Sequence, residues 1–161
     1  AAMEDGMKVS LLPSYGPEMR GGFANCHVII SDRDIACPII TRADLVVAMS
    51  LPALEKFESV PKEGGTLIID SYLVNKQVGR DDIDVLLIPA SKMALDIGNV
   101  KFANMVMLGA ISRLFGCPSS ESMGKAIMNM LPDEKKTLFD KEMQAFMQGR
   151  EYAANYAACK R

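Results

Sequence analysis

The stretch Leu45-Val46-Val47-Ala48-Met49 decides the fold. It is apolar without interruption, where a strand with one wet face would alternate apolar and polar residues. A run this short and this uniform describes a strand covered on both faces. Thr66-Leu67-Ile68-Ile69-Asp70 and Val85-Leu86-Leu87-Ile88 repeat the form. Helical patterns fall between and after these runs. Leu51–Phe57 follows Ser50, whose hydroxyl suits an N-cap, and Pro52 stands where its missing N–H costs little. Further helices are predicted over Ser91–Ile97, ending at Gly98, and over Lys101–Phe115, ending at Gly116 with Pro118 beyond. Ser120–Met130 stops before Pro132, and Asp133 caps a last helix predicted to run to about Gln148, with Gly149 after it. Short apolar strands alternating with helices specify an α/β domain: three α/β/α layers around a mostly parallel, doubly wound sheet.

Two strand candidates precede these elements, Lys8–Leu12, stopped by Pro13, and His27–Ser31. Ala1–Glu4 with Gly6 reads as a helix end closed by a left-handed glycine. No linker, repeat or low-complexity segment divides residues 1–161, so a single domain is expected.

Composition excludes several function classes. A formal net charge of -2 offers no field to hold a nucleic-acid backbone. The first residues have neither a basic start nor a long apolar run, so no secretory leader is read there. The longest apolar stretch, Phe102–Ile111, is interrupted by Asn104 and falls short of the roughly 20 residues of a membrane span. Cys26, Cys37, Cys117 and Cys159 form no CxxC pair, and His27 is the only histidine. No metal-ligand set and no nucleophile–base pair is expected from this chain, and reduced thiols suit a cytoplasmic location. The adjacent Cys26 and His27 lie in a strand candidate, where neighbouring side chains point to opposite faces. The 12 methionines, beside no tryptophan, suit a subunit that packs on partners.

Sites in parallel sheets lie beyond the carboxyl ends of the strands. That rule directs attention to Pro13–Gly22, Ser50, Asp70-Ser71 and Pro89-Ala90. The segment Pro13-Ser14-Tyr15-Gly16-Pro17-Glu18-Met19-Arg20-Gly21-Gly22 is the most informative of these. Its prolines restrict the backbone, its glycines let a ligand or another backbone approach, and one acid and one base stand between them. Arg20 can clamp a carboxylate or phosphate with paired hydrogen bonds, and the N–H groups of Gly21 and Gly22 can add an anion nest. A stiff connection with an internal Glu18–Arg20 pair explains the same residues without a ligand.

This run, followed by Ala24-Asn25 and Val28-Ile29-Ile30-Ser31-Asp32, closely resembles the gamma subunits of 2-oxoacid:ferredoxin oxidoreductases. The resemblance continues through Leu45–Met49, Gly64-Gly65, Asp70-Ser71, Pro89-Ala90, Gly98-Asn99, Asn104-Met105-Val106 and Leu108-Gly109-Ala110. Family members usually open with a strand, a Gly-x-Gly-Gly-Gln-Gly turn and a helix. Without that pattern here, Ala1–Gly6 is read as the tail of that helix and the N-terminal strand-turn-helix is expected to be missing.

The resemblance implies a subunit of an enzyme that oxidatively decarboxylates pyruvate, 2-oxoglutarate, a branched-chain 2-oxoacid or indolepyruvate to acyl-coenzyme A. Electrons pass through iron–sulfur clusters to ferredoxin, as in anaerobic metabolism. It implies that thiamine diphosphate, Mg and the clusters are held mainly by alpha and beta subunits, with a ferredoxin-like delta subunit as a further partner. The gamma domain would shape the substrate and coenzyme A side of the site and be inactive alone. Candidate loop contacts are Ser14, Tyr15, Gly16, Pro17, Glu18, Arg20, Gly21, Gly22 and Asn25, with Ser71, Asn99 and Asn104 as second contacts. Asn99 also suits a helix cap, and Asp70-Ser71 an Asx turn. Asn104, polar within an apolar run, suits a hydrogen bond to the loop or to a partner. Two other readings stand beside this one: a free-standing nucleotide- or flavin-binding module, and a purely structural assembly subunit. An incomplete sheet edge would favour self-association of the isolated chain, most simply as a homodimer.

Overall fold

The three apolar runs pair as their composition requires. In the computed structural model, which describes residues 1–15 and 24–159, β3 (Ala43–Ala48), β4 (Pro61–Asp70) and β5 (Asp84–Ile88) form a parallel sheet in the order β3-β4-β5. Val47 stands opposite Ile68 and Ile68 opposite Leu86, so these side chains share one face. That face packs with Ile88 against Ala94, Val106, Ala110 and Phe146 of the helical layer. The other face buries Ala48, Leu67 and Ile69 against Leu54 and Val74. Each fully buried Leu or Ile contributes about 1.5–3 kcal/mol over an exposed one. Both faces of β3 and β4 are therefore covered, which is why their runs lack alternation; on β5 the run Val85–Ile88 is as apolar, but Leu87 stays 50% exposed.

The helices are α1 (Leu51–Phe57), α2 (Ala90–Ile97), α3 (Ala103–Phe115), α4 (Ser120–Met130) and α5 (Phe139–Cys159). Ser50 caps α1 by accepting from the Ala53 N–H at 3.3 Å, and Ser119 caps α4 by accepting from Ser122 at 3.1 Å. Gly116 closes α3 with φ 73°, and Gly6 closes the N-terminal turn with φ 78°. Met7 N–H reaches the Ala2 carbonyl there at 3.1 Å, the pattern of a helix end.

Three expectations need correction. The predicted helix Lys101–Phe115 opens with a separate 3-10 turn, Val100–Phe102, before α3. The last helix does not stop at Gln148. It begins after a 3-10 turn over Asp133–Leu138 and carries Gly149 in its interior. The glycine is there because α3 passes too close for a side chain, not because the helix ends.

The third correction concerns the N-terminal strands. β1 (Lys8–Tyr15) and β2 (Ala24–Ser31) form their own antiparallel ribbon, outside the parallel sheet. Pro13 does not stop β1; it pairs opposite Cys26. In a two-stranded ribbon alternate N–H groups point away from the partner strand, so a proline is accommodated there.

Candidate functional site

Asp70 ends the central strand with its side chain fully buried. A buried carboxylate must find donors, and it finds them on two elements. Oδ2 accepts from the Ser91 N–H at 3.1 Å and from the Ser91 hydroxyl at 2.5 Å. Oδ1 accepts from the Tyr72 N–H at 3.1 Å, an Asx turn. Pro89, at the N-cap of α2, has no capping side chain, so Asp70 supplies the cap from the neighbouring strand. The Ser71 N–H donates to the Ile88 carbonyl at 3.0 Å, which extends the β4–β5 ladder one residue past the strand. The carboxyl ends of β4 and β5 are thus locked together, and Tyr72 and Leu73 project from the locked turn, each more than half exposed. The sequence pointed to Asp70-Ser71; it did not name Ser91, which lies 21 residues later and meets Asp70 only through the β4–β5 pairing.

The ribbon brings other candidates together. Ser14 stands directly opposite Asn25, on the same ribbon face as His27. Cys26 is exposed while His27 is half-buried, with Nδ1 accepting from the Ile40 N–H at 3.2 Å. The two side chains diverge as strand geometry requires. Tyr15 ends β1 opposite Ala24. Gly16, Pro17, Glu18, Arg20, Gly21 and Gly22 lie outside the described residues. The segment that holds them joins the two ribbon strands and does not follow a strand of the parallel sheet, contrary to the strand-end rule applied above.

Asn99 and Asn104 do not join the strand-end cluster. Asn99 accepts from the Lys101 N–H at 3.0 Å and caps the 3-10 turn before α3. The length of α2, about 12 Å at 1.5 Å per residue, separates Gly98-Asn99 from Ala90-Ser91. Asn104 is exposed on the first turn of α3, and its Oδ1 accepts from the Met105 N–H at 2.9 Å. Tyr156, in the helical stretch beyond Gln148, donates its hydroxyl to the Val85 carbonyl at 2.6 Å and ties α5 to β5.

A second polar cluster joins the N-terminal turn to α4. Asp5 accepts from the Ser119 N–H at 2.7 Å, the Ser119 hydroxyl at 2.8 Å and the Ser122 hydroxyl at 2.5 Å. The Ser122 hydroxyl first, then Ser119, hold the Asp5 carboxyl below its ordinary range. Burial pushes the nearby Cys117 thiol up, and the Asp5 charge adds to the rise. A thiol held protonated is a poor nucleophile. Among the described residues no three His, Cys, Asp or Glu side chains converge as a metal site. Among them, too, no helix is long and apolar enough to cross a membrane.

Comparison with known proteins places this geometry in context. Residues 1–152 match the family model described as pyruvate ferredoxin/flavodoxin oxidoreductase. The chain is 37% identical over 155 residues to the 2-oxoglutarate synthase subunit KorC of Methanocaldococcus jannaschii, covering 95% of this chain and 81% of that one. It is 31% identical over 137 residues to the pyruvate synthase subunit PorC of the same organism, covering 80% and 72%. Among solved structures, it superimposes on the gamma subunit of a keto/oxoacid ferredoxin oxidoreductase from Geobacter sulfurreducens with a TM-score of 0.81 and 33% identity, covering 96% of this chain and 85% of the other.

Proposed function

The chain belongs to the pyruvate ferredoxin/flavodoxin oxidoreductase family and is a subunit of a 2-oxoacid:ferredoxin oxidoreductase, and we propose that its segment 13–22 shapes the substrate and coenzyme A side of that enzyme's site. One observation carries the reading: the matched range, residues 1–152, includes β1, the connecting segment and β2, and the ribbon sets Ser14 against Asn25 at the root of that segment. A paired ribbon is a rigid stalk for a short loop, and rigid support is what a binding loop requires. Arg20 is the cation of the segment and the group suited to a carboxylate or phosphate. Asp70 acts as a positioning residue, since it fixes the turn that carries Tyr72 and the start of α2.

Thiamine diphosphate, when bound, supplies the carbanion chemistry of decarboxylation. The described residues do not fit a resident iron–sulfur cluster, because Cys26, Cys37 and Cys117 do not converge with any further ligand. We assign thiamine diphosphate, Mg and the clusters to alpha, beta and ferredoxin-like delta subunits, in a cytoplasmic complex. The oxoacid we propose is 2-oxoglutarate, on the strength of the similarity to the archaeal 2-oxoglutarate synthase subunit.

The test is anaerobic assay of the complex reconstituted with its partner subunits, on 2-oxoglutarate, pyruvate, a branched-chain 2-oxoacid and indolepyruvate. Coenzyme A-dependent dye reduction, fastest with 2-oxoglutarate and absent without the partners, is the expected result. Faster turnover of another oxoacid overturns the substrate assignment. An assembled complex inactive on all four overturns the functional reading.

A further inference from the structure

A cleft of about 400 Å³ opens between α3 and α5, lined by Arg113, Met147, Arg150, Glu151 and Ala154. Each helix contributes one guanidinium to it. Arg150 of α5 is held from two directions. Its Nη1 donates to the Ser112 hydroxyl, and its guanidinium lies 5.9 Å from the centre of the Phe146 ring. Ser112 is buried and donates its own proton to the Pro118 carbonyl, so toward Arg150 it can only accept. Fixing a long side chain in this way costs rotamer entropy. The fork keeps most of its donors, since Ser112 takes one and no described acceptor takes the rest.

Neither arginine has a carboxylate partner. Among the described residues no ion pair includes Arg113 or Arg150, and Glu151, the acid of the cleft, pairs with neither. Other helical cations of this chain do find acids one turn away, as Lys125 finds Glu121 at 2.7 Å and Lys136 finds Asp133 at 2.6 Å. Arg113 stands in the last turn of α3, where the helix dipole favours a cation. That accounts for Arg113 alone. Arg150 sits in the middle of α5, where the dipole gives nothing. Two like charges share one cleft, one of them held in place, and no described anion lies between them.

We propose that the Arg113–Arg150 cleft binds a phosphate monoester of a small hydroxylated molecule. Charge and shape select this class. One guanidinium fork saturates a planar carboxylate. A phosphate monoester carries roughly -1.5 to -2 at neutral pH and three acceptor oxygens, so it can accept from two forks that come from different helices. Glu151 opposes a bare dianion, but it accepts a hydrogen bond from a hydroxyl on the ester's carbon body. Met147 and Ala154 give that body an apolar wall. The volume lies within the roughly 300–1,000 Å³ of small-molecule pockets.

The test is titration at constant ionic strength with glycerol 3-phosphate, inorganic phosphate and acetate, read by ligand-observed nuclear magnetic resonance. It is run on the complex reconstituted with its partner subunits and on the isolated chain. Glycerol 3-phosphate is expected to saturate one site and to bind about tenfold more tightly than acetate. Arg113→Gln and Arg150→Gln are each expected to weaken it about tenfold or more. Arg150→Lys should recover little, because an ammonium lacks the planar fork. Glu151→Gln should strengthen inorganic phosphate and narrow the preference for the glycerol ester. Lys125→Gln, at a cation already paired on α4, is the control and should leave binding unchanged. If Arg150→Gln fails to fold without its bond to Ser112, Arg113→Gln, at an exposed position, decides alone. Undiminished binding by the Arg113→Gln variant, or no saturable binding by the native chain, overturns the inference. Acetate bound as tightly as the ester overturns the ligand class. Loss of binding on assembly also overturns it, and weaker assembly of the Arg113→Gln variant then assigns the cleft to a carboxylate of a partner subunit. None of these outcomes changes the 2-oxoacid assay, so failure here leaves the subunit reading intact.

Discussion

Gly149 of α5 lies against the carbonyl group of Val106 of α3, so close that a Cβ at position 149 would overlap the carbonyl oxygen. The relationship is reciprocal. A Cβ at Gly109 of α3 would overlap the Phe146 carbonyl and lie 2.9 Å from the Arg150 nitrogen. Each glycine admits the other helix's backbone, and the close approach lets Val106, Ala110, Ala145 and Phe146 bury completely. Helix propensity alone would favour Gly→Ala by about 1 kcal/mol. Backbone overlap outweighs that, because a carbonyl in a helix cannot rotate away as a side chain can.

Gly109→Ala and Gly149→Ala are therefore expected to destabilise the chain by about 1–3 kcal/mol each. Gly124→Ala is the contrast, since a Cβ there meets only side-chain atoms of Met143 and Phe139 at 3.9 Å. It should be neutral or stabilise by up to about 1 kcal/mol. Urea unfolding of the three variants checks the order; a Gly149→Ala variant as stable as the native chain would show that the helices separate freely.

Asp70→Ala removes a fully buried acceptor from the Ser91 N–H, the Ser91 hydroxyl and the Tyr72 N–H. Leaving such donors unpaired is expected to cost about 2–4 kcal/mol. Asp70→Asn keeps one acceptor but turns an amide NH₂ toward one set of donors, so its cost should be smaller yet clear. Thermal unfolding measures both. Hydrogen exchange adds a local readout, with the amides of Tyr72 and Ser91 losing protection before those of β4.

The Asp5 cluster gives a pH dependence of known sign. Its carboxyl is held below the ordinary value of 3.8 in the folded chain by the Ser122 hydroxyl first, then by the N–H and hydroxyl of Ser119. A group with a depressed folded pKa adds stability that is fully present above its unfolded value and disappears as pH falls through the folded one. Asp5→Asn should thus cost stability at neutral pH, and the difference from the native chain should shrink below about pH 4. The same variant removes a charge that raises the Cys117 thiol. Alkylation of Cys117 should then begin at lower pH than in the native chain. A stability difference that stays constant down to the acid limit would detach Asp5 from this role.

The sheet was legible because burial on both faces leaves its mark on every residue of a run, as in Leu45–Met49 and Thr66–Asp70. The caps Ser50 and Gly116 were legible because each acts within one turn. The ribbon was not, since Lys8–Leu12 and His27–Ser31 read equally well as members of the main sheet, and only the pairing partner distinguishes the two. Gly149 misled for a related reason. A glycine that ends a helix and one that admits a neighbouring helix look alike until the neighbour is placed. That misreading also hid Tyr156 and its bond to Val85. In the candidate site, Ser71 lies at the strand end where the sequence put it, whereas Ser14 and Asn25, expected in and beside the loop, lie within β1 and β2, and Ser91 depends on a crossover that local pattern does not contain.

Arg20 separates a ligand-shaping subunit from a purely structural one. It stands among glycines in segment 13–22, with Glu18 as its near acid. If Arg20 pairs with a carboxylate or phosphate in a partly dehydrated interface, Arg20→Ala should cost about 2–5 kcal/mol in binding that anion or in partner affinity. Arg20→Lys should rescue little, because a point charge does not replace a planar fork with paired donors. If Arg20 only pairs with Glu18 at a wet surface, either change should cost under about 1 kcal/mol. Steady-state kinetics of the reconstituted complex carrying each variant, with assembly measured separately, decides between them. A raised KM for the 2-oxoacid or for coenzyme A with intact assembly identifies the anion that Arg20 holds. Unchanged KM values, unchanged turnover and intact assembly would make the segment a structural connection between β1 and β2.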